Sequence, residues 1–168
     1  MGFIRCKIIG KGTYAYLVEN QWTSKGSRQK IQGYLGKVIA LTPCASATYV
    51  PSKEYGALVH HLIEQELIKH GFTQEGTTWR HQDIIVDIEQ ESVREGTRAV
   101  VLALNDGYLC THTLREIHTY TPHLDNFEEE LATRIIATGI AMPPSFFIHL
   151  YEAAKHLKTN TQPTKSNG

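Results

Sequence analysis

Long apolar runs are missing from this 168-residue chain: none approaches the roughly 18 to 20 residues that span a bilayer, so a membrane-spanning helix is excluded. Cysteine is scarce. Cys6, Cys44 and Cys110 are too few and too scattered for a disulfide framework, and free thiols in a reducing cytoplasm are expected. The opening Met-Gly-Phe-Ile-Arg-Cys-Lys alternates basic and apolar residues and lacks the apolar block of a signal peptide. Net charge is absent as well, with 17 Lys and Arg against 17 Asp and Glu and nine neutral His. There is no G-x-S-x-G, Walker A or G-x-G-x-x-G motif, and Gly10-Lys11-Gly12 is too short to cradle a triphosphate. No motif names a reaction, which favours a binding module over an enzyme. What is present suffices for a core: 41% of the residues are hydrophobic and 20% charged, which excludes wholesale disorder. The length suits one domain, or a small module joined to a larger one.

The zero net charge is a sum of two opposite halves. Residues 1–40 carry seven basic residues and a single acid, Glu19, so this segment is +6. The remaining ten basic and sixteen acidic residues make 41–168 a −6 segment. Such asymmetry points to a polyanion-facing module attached to a different body.

Periodicity divides the chain in the same place. Phe3–Ile9 alternates as a half-buried strand, Gly10-Lys11-Gly12 turns, and Tyr14–Trp22 alternates again. After the polar loop Thr23–Ser27, a third strand runs over Arg28–Leu41, with a bend or bulge at Gly33 and Gly36. Thr42–Ser52, with Pro43 and Pro51, reads as a linker. Glu54–His70 carries an apolar stripe at helical spacing, with Ser52 as N-cap and Gly71 at the C-terminal end. Strands follow over Thr77–His81, Asp83–Glu89 and Arg98–Leu104, the last two separated by a turn at Arg94-Glu95-Gly96. Beyond the Asn105-Asp106-Gly107 turn, helices are expected over Tyr108–Tyr120, from a cap at Asp125 or Asn126 to Thr138, and from Pro143-Pro144 to Leu157. The expected fold is α+β: a basic antiparallel three-stranded β-module over 1–41, a linker over 42–53, then a mixed domain over 54–157 with a short antiparallel sheet and about four helices. The tail 158–168 is polar and expected to be disordered.

The run Phe3-Ile4-Arg5-Cys6-Lys7, then Thr13-Tyr14-Ala15-Tyr16-Leu17-Val18-Glu19-Asn20, followed by Ser27-Arg28-Gln29-Lys30 and Tyr34-Leu35-Gly36, resembles the N-terminal segment of DDE-class insertion-sequence transposases. The resemblance covers about a quarter of the chain and implies a small β-module near nucleic acid; the transposase carboxylates belong to a domain this chain is too short to contain. Over most of its length, including Leu104–Cys110 and the His70-Gly71-Phe72 helix end, the chain is similar to small archaeal proteins without an assigned activity.

The leading functional expectation is a non-enzymatic nucleic-acid-binding accessory protein. Arg5, Lys7, Lys11, Lys25, Arg28, Lys30, Tyr34 and Lys37 are the candidate contacts, with DNA or RNA phosphates as partner. Arg5 and Lys7 on one strand are expected to align with Arg28 and Lys30 on another. Alternation places Tyr14, Tyr16 and Trp22 together, most of them as the module's inward core, leaving the contacts to the basic residues. One alternative is a protein–protein adaptor or dimeric structural protein, using Phe127, Leu131, Ile135, Ile136, Phe146, Phe147, Leu150 and Tyr151 of the last two helices. Another is a divalent-metal nuclease, or a nuclease-like fold without chemistry, built on Glu64, Glu66, Asp83 and Asp87; its expected Glu-x-Lys is missing from Arg98–Leu104. No zinc site or other cofactor is expected. His118 and His123 supply only half of a ligand set, His60, His61 and His112 read as surface or capping residues, and no Cys pair exists. Cys110 reads as a buried small hydrophobe before it reads as a nucleophile.

Overall fold

Alternating apolar and polar residues hold an extended chain only when neighbouring strands take up its backbone donors and acceptors. The computed structural model describes residues 2–50, 52, 54–120 and 127–159. In it, the first forty residues form β1 (Phe3–Ile9), β2 (Gly12–Thr23) and β3 (Gly26–Ala40), paired antiparallel in sequence order. The loop expected over Thr23–Ser27 contracts to a turn at Ser24-Lys25. The bend expected near Gly33 and Gly36 takes the form of two register shifts. Ala15 faces Gly36 but Tyr16 faces Tyr34, and Leu17 faces Gly33 but Val18 faces Ile31. Leu35 and Gln32 are the extra residues, and such bulges bend and twist a ribbon.

The three strands are not a sheet of their own, as the sequence led us to expect. Lys37–Ala40 of β3 pairs in parallel with Val100–Ala103 of β8 (Arg98–Leu104). This joins everything into one nine-stranded mixed sheet, whose remaining members are β4 (Thr73–Glu75), β5 (Thr78–His81), β6 (Ile84–Asp87), β7 (Ser92–Glu95) and β9 (Gly107–Leu109). The order is β1-β2-β3-β8-β7-β6-β5-β4, with β9 pairing β8. The sequence pattern missed β7, which overlaps the turn expected at Arg94-Glu95-Gly96, and β4 and β9, whose three residues are too short to display a period. For the same reason the helix expected over Tyr108–Tyr120 starts late. Tyr108 and Leu109 first pair with Ala103 and Leu102, and α2 then runs over Thr111–His118.

Helix α1 (Tyr55–Lys69) lies within a residue of its expected bounds, but its N-cap is Glu54 instead of Ser52. The Ser52 hydroxyl accepts a hydrogen bond from the Glu54 N–H at 3.3 Å, one step outside the helix. Helices α3 (Phe127–Thr138) and α4 (Pro144–Thr159) follow; the expected cap at Asp125 or Asn126, Pro122 and the tail from 160 onward lie outside the described residues. The architecture is α+β, with four helices and the nine-stranded sheet among the described residues.

The main core gathers Leu58 and Leu62 of α1, Val100 and Leu102 of β8, Leu114 of α2 and Leu150 of α4. A second, smaller cluster of Ala15, Val101 and Cys110, flanked by Ile4, Cys6, Leu35, Val38 and Tyr108, joins the N-terminal strands to β8. The end of α3 meets the β8–β9 turn so closely that a Cβ on Gly107 would lie 2.2 Å from the Ile136 carbonyl oxygen, and only glycine fits. Asn105 of that turn donates to the Gly139 carbonyl at 2.7 Å and to the Glu66 carboxylate at 2.8 Å, tying three elements together.

Candidate nucleic-acid interface

Cross-strand pairing decides which basic and aromatic side chains meet. Residues directly opposite in an antiparallel pair point to the same face. The pairs Arg5 with Tyr16, Lys7 with Tyr14, Tyr14 with Lys37 and Tyr16 with Tyr34 therefore assemble three cations and three tyrosines on one face. The contacts bear this out: the Tyr34 ring centroid lies 5.5 Å from that of Tyr16 and 6.4 Å from that of Tyr14. The Lys7 ammonium sits 5.3 Å from the centre of the Tyr16 ring, a cation–π contact. Arg5 donates a hydrogen bond to the side-chain carbonyl of Gln29. Tyr34 is 58% exposed.

This corrects the expectation that Tyr14, Tyr16 and Trp22 form an inward core. Tyr14 and Tyr16 are only half-buried, although Val18 on their face is buried; the opposite face packs at Ala15 with Val101 and Cys110, and Ile4, Leu35 and Val38 flank them. Alternation groups residues by face but does not say which face turns inward. The β3–β8 pairing decides it, because it sets Val38 opposite Val101. Trp22 is further out still, 83% exposed near the turn of the β2–β3 hairpin.

The same register separates the basic residues into groups. β1 reaches only as far as Phe3 opposite Val18, so β2 and β3 continue beyond it as a two-stranded arm. Residues 19–32 of that arm and its turn are exposed throughout. Arg28 pairs with Gln21 and Lys30 with Glu19, on the arm, so they do not align with Arg5 and Lys7. Alternation also places them on the ribbon face opposite Trp22 and Gln29. Lys25 occupies the arm's turn, whereas Lys11 lies in the β1–β2 turn at the other end of β2, about 35 Å away at ~3.3 Å per residue. All seven cations of the first forty residues are exposed, and none forms an ion pair among the described residues.

Beside the tyrosines, a cleft of about 410 Å³ opens between β3 and the β7–β8 hairpin. Tyr14, Tyr34, Lys37, Glu95 and Arg98 line it. Its floor is a close backbone approach: Gly36 has φ +140°, and a Cβ there would lie 2.5 Å from the Ala99 carbonyl oxygen. Glu95 and Arg98 are missing from the sequence-derived site. No local pattern marks them, because they reach it only through a pairing between segments some sixty residues apart.

The carboxylates expected of a nuclease are dispersed. Glu66 is fully buried, accepting hydrogen bonds from Asn105 and from the Ala141 N–H at 2.9 Å, with Lys69 and His70 each at 3.3 Å. Glu64 faces His60 and His61 on the helix surface, and Asp87 accepts from the Gln90 N–H at 2.9 Å. Among the described residues no three His, Cys, Asp or Glu side chains converge as metal ligands, and His123 lies outside them. Cys110 is buried as the N-cap of α2, where its N–H donates to the Thr113 hydroxyl at 3.0 Å. Of the last two helices, Leu131, Ile135, Phe146 and Leu150 are core, whereas Ile136 and Ile148 are 63% and 57% exposed. The Phe127 side chain lies outside the described set.

Comparison with protein-family models, with curated proteins and with solved structures finds no match for this chain.

Proposed function

We propose that this protein is a nucleic-acid-binding accessory protein whose contact surface is the open face of β1, β2 and β3. The observation that carries the reading is the coincidence, on one face of these strands, of three cations without an ion pair among the described residues and a cluster of three tyrosines of which Tyr34 is exposed. Arg5, Lys7 and Lys37 neutralise phosphates, and Tyr34, with Tyr16 and Tyr14 beneath it, offers a platform for unpaired bases. Lys25, Arg28 and Lys30 form a second cationic group on the arm, apart from this face. Single strands suit this surface better than a duplex, whose bases are stacked and hidden from a flat aromatic platform.

Fluorescence anisotropy with labelled single-stranded DNA and RNA tests the reading. With three phosphates neutralised, by Arg5, Lys7 and Lys37, log K falls with log salt at a slope of about −2 for single strands. Lys7→Ala with Lys37→Ala weakens binding and makes the slope shallower by about 1.4. Absence of binding to any oligonucleotide at low salt overturns it. Salt-sensitive retention of an acidic protein, with no oligonucleotide bound, would assign the face to an adaptor instead.

A further inference from the structure

Resting on that reading, we propose that the cleft between β3 and the β7–β8 hairpin receives one unpaired guanine base, held by its Watson–Crick edge on Glu95. The cleft has the size of a small-ligand site, and two of its walls are the tyrosines of the open face. A base leaving the Tyr34 platform therefore enters it without the strand leaving the cationic face. Lys37 and Arg98 stand at the same cleft and hold the flanking phosphates.

Glu95 is the informative residue. A carboxylate set among the cations of a phosphate-binding surface weakens that surface unless the ligand gives it something to accept. Arg98 is its cross-strand partner, so the two side chains leave the same face of the hairpin. Even so, they form no ion pair, and Glu95 has no hydrogen-bond partner among the described residues. It is half-buried, with the carboxylate available to the cleft.

The bases differ in what they offer such a group. Guanine presents N1–H and N2–H side by side, matching the two oxygens of one carboxylate. Adenine and cytosine present an amino group next to a ring-nitrogen acceptor, which repels the second oxygen. Thymine and uracil present one N–H flanked by two carbonyls. In a duplex the guanine edge is already paired, so the contact demands a single strand.

The test compares labelled oligothymidylate with the same strand carrying one central guanine, hypoxanthine or adenine. The expected result is guanine binding about tenfold tighter than thymine alone, with hypoxanthine, which lacks the N2 amino group, losing most of the gain. Glu95→Gln, checked for native circular dichroism, removes the guanine preference and leaves oligothymidylate binding equal or tighter, because a negative charge is gone. Tyr34→Ala weakens every strand. Equal binding of all four strands, or a guanine preference that survives Glu95→Gln, overturns the proposal while leaving the broader reading in place. If no strand binds at all, both fail.

Discussion

Glu66 is the residue whose environment least resembles its place in the sequence. On α1 it occupies an i, i+4 row with Leu58, Leu62 and His70, and a carboxylate there would ordinarily mark the helix's solvated edge. Instead it is fully buried and satisfied from three directions: by its own helix, by the β8–β9 turn through Asn105, and by the α3–α4 connection through Ala141. A buried carboxylate costs several kcal/mol unless partners satisfy it, and here both of its oxygens accept hydrogen bonds. Glu66→Ala leaves those donors orphaned and is expected to cost about 3 kcal/mol, read as a lower urea midpoint at unchanged slope. Glu66→Gln keeps one acceptor and falls between the two. Equal midpoints for wild type and Glu66→Ala would remove the strut role.

At the scale of elements, the β2–β3 arm and α2 make separate predictions. The two tryptophans sit in opposite environments, Trp22 83% exposed on the arm and Trp79 5% exposed in the core. Emission from the native protein is therefore expected to have a quencher-accessible, red-shifted part that Trp22→Phe removes. Stability should stay within about 0.5 kcal/mol, since no packing is lost. In α2, burial holds the His118 imidazole below its ordinary value; Glu91 at 3.7 Å opposes this, and His60 adds to the lowering. The unfolded chain takes up this proton near pH 6.5, the folded protein only at lower pH. Stability from His118 is thus complete above about pH 6.5 and is lost as pH falls, because the unfolded state then binds more protons. His118→Gln is expected to flatten that acid-side loss in a series of denaturation curves, and an unchanged slope would count against it.

For the molecule as a whole, the joining of β3 to β8 has the largest consequences. It makes the first forty residues dependent on the rest, since Ala15 is buried only with Val101 and Cys110. A fragment of residues 1–41 is expected to give the circular dichroism of an unfolded chain, and a folded, cooperative fragment would contradict this. The same joining turns the +6 segment outward. Its cations are exposed and none is ion-paired with an acid of the remainder among the described residues, so an attraction for a polyanion that fades with salt is expected.

Much of this was legible beforehand. The bounds of β1 and α1, the bulges near Gly33 and Gly36, and the helix ends at Gly71 and Gly139 all follow from local alternation, helical spacing and glycine placement. So does the grouping of Tyr14, Tyr16 and Trp22, because period two is a property of the strand itself. What local pattern could not contain is which face of that grouping meets the core. Nor could it place Glu95 and Arg98 beside Lys37, bury Glu66, or separate Arg28 and Lys30 from Arg5 and Lys7. Each depends on pairing or packing between segments far apart in the chain. Sequence by itself determined the longer elements and the charge each one carries, since those are set by neighbours within a few residues. Only the tertiary structure decided which surface those charges share, because a strand offers two equivalent faces until another strand or helix covers one of them.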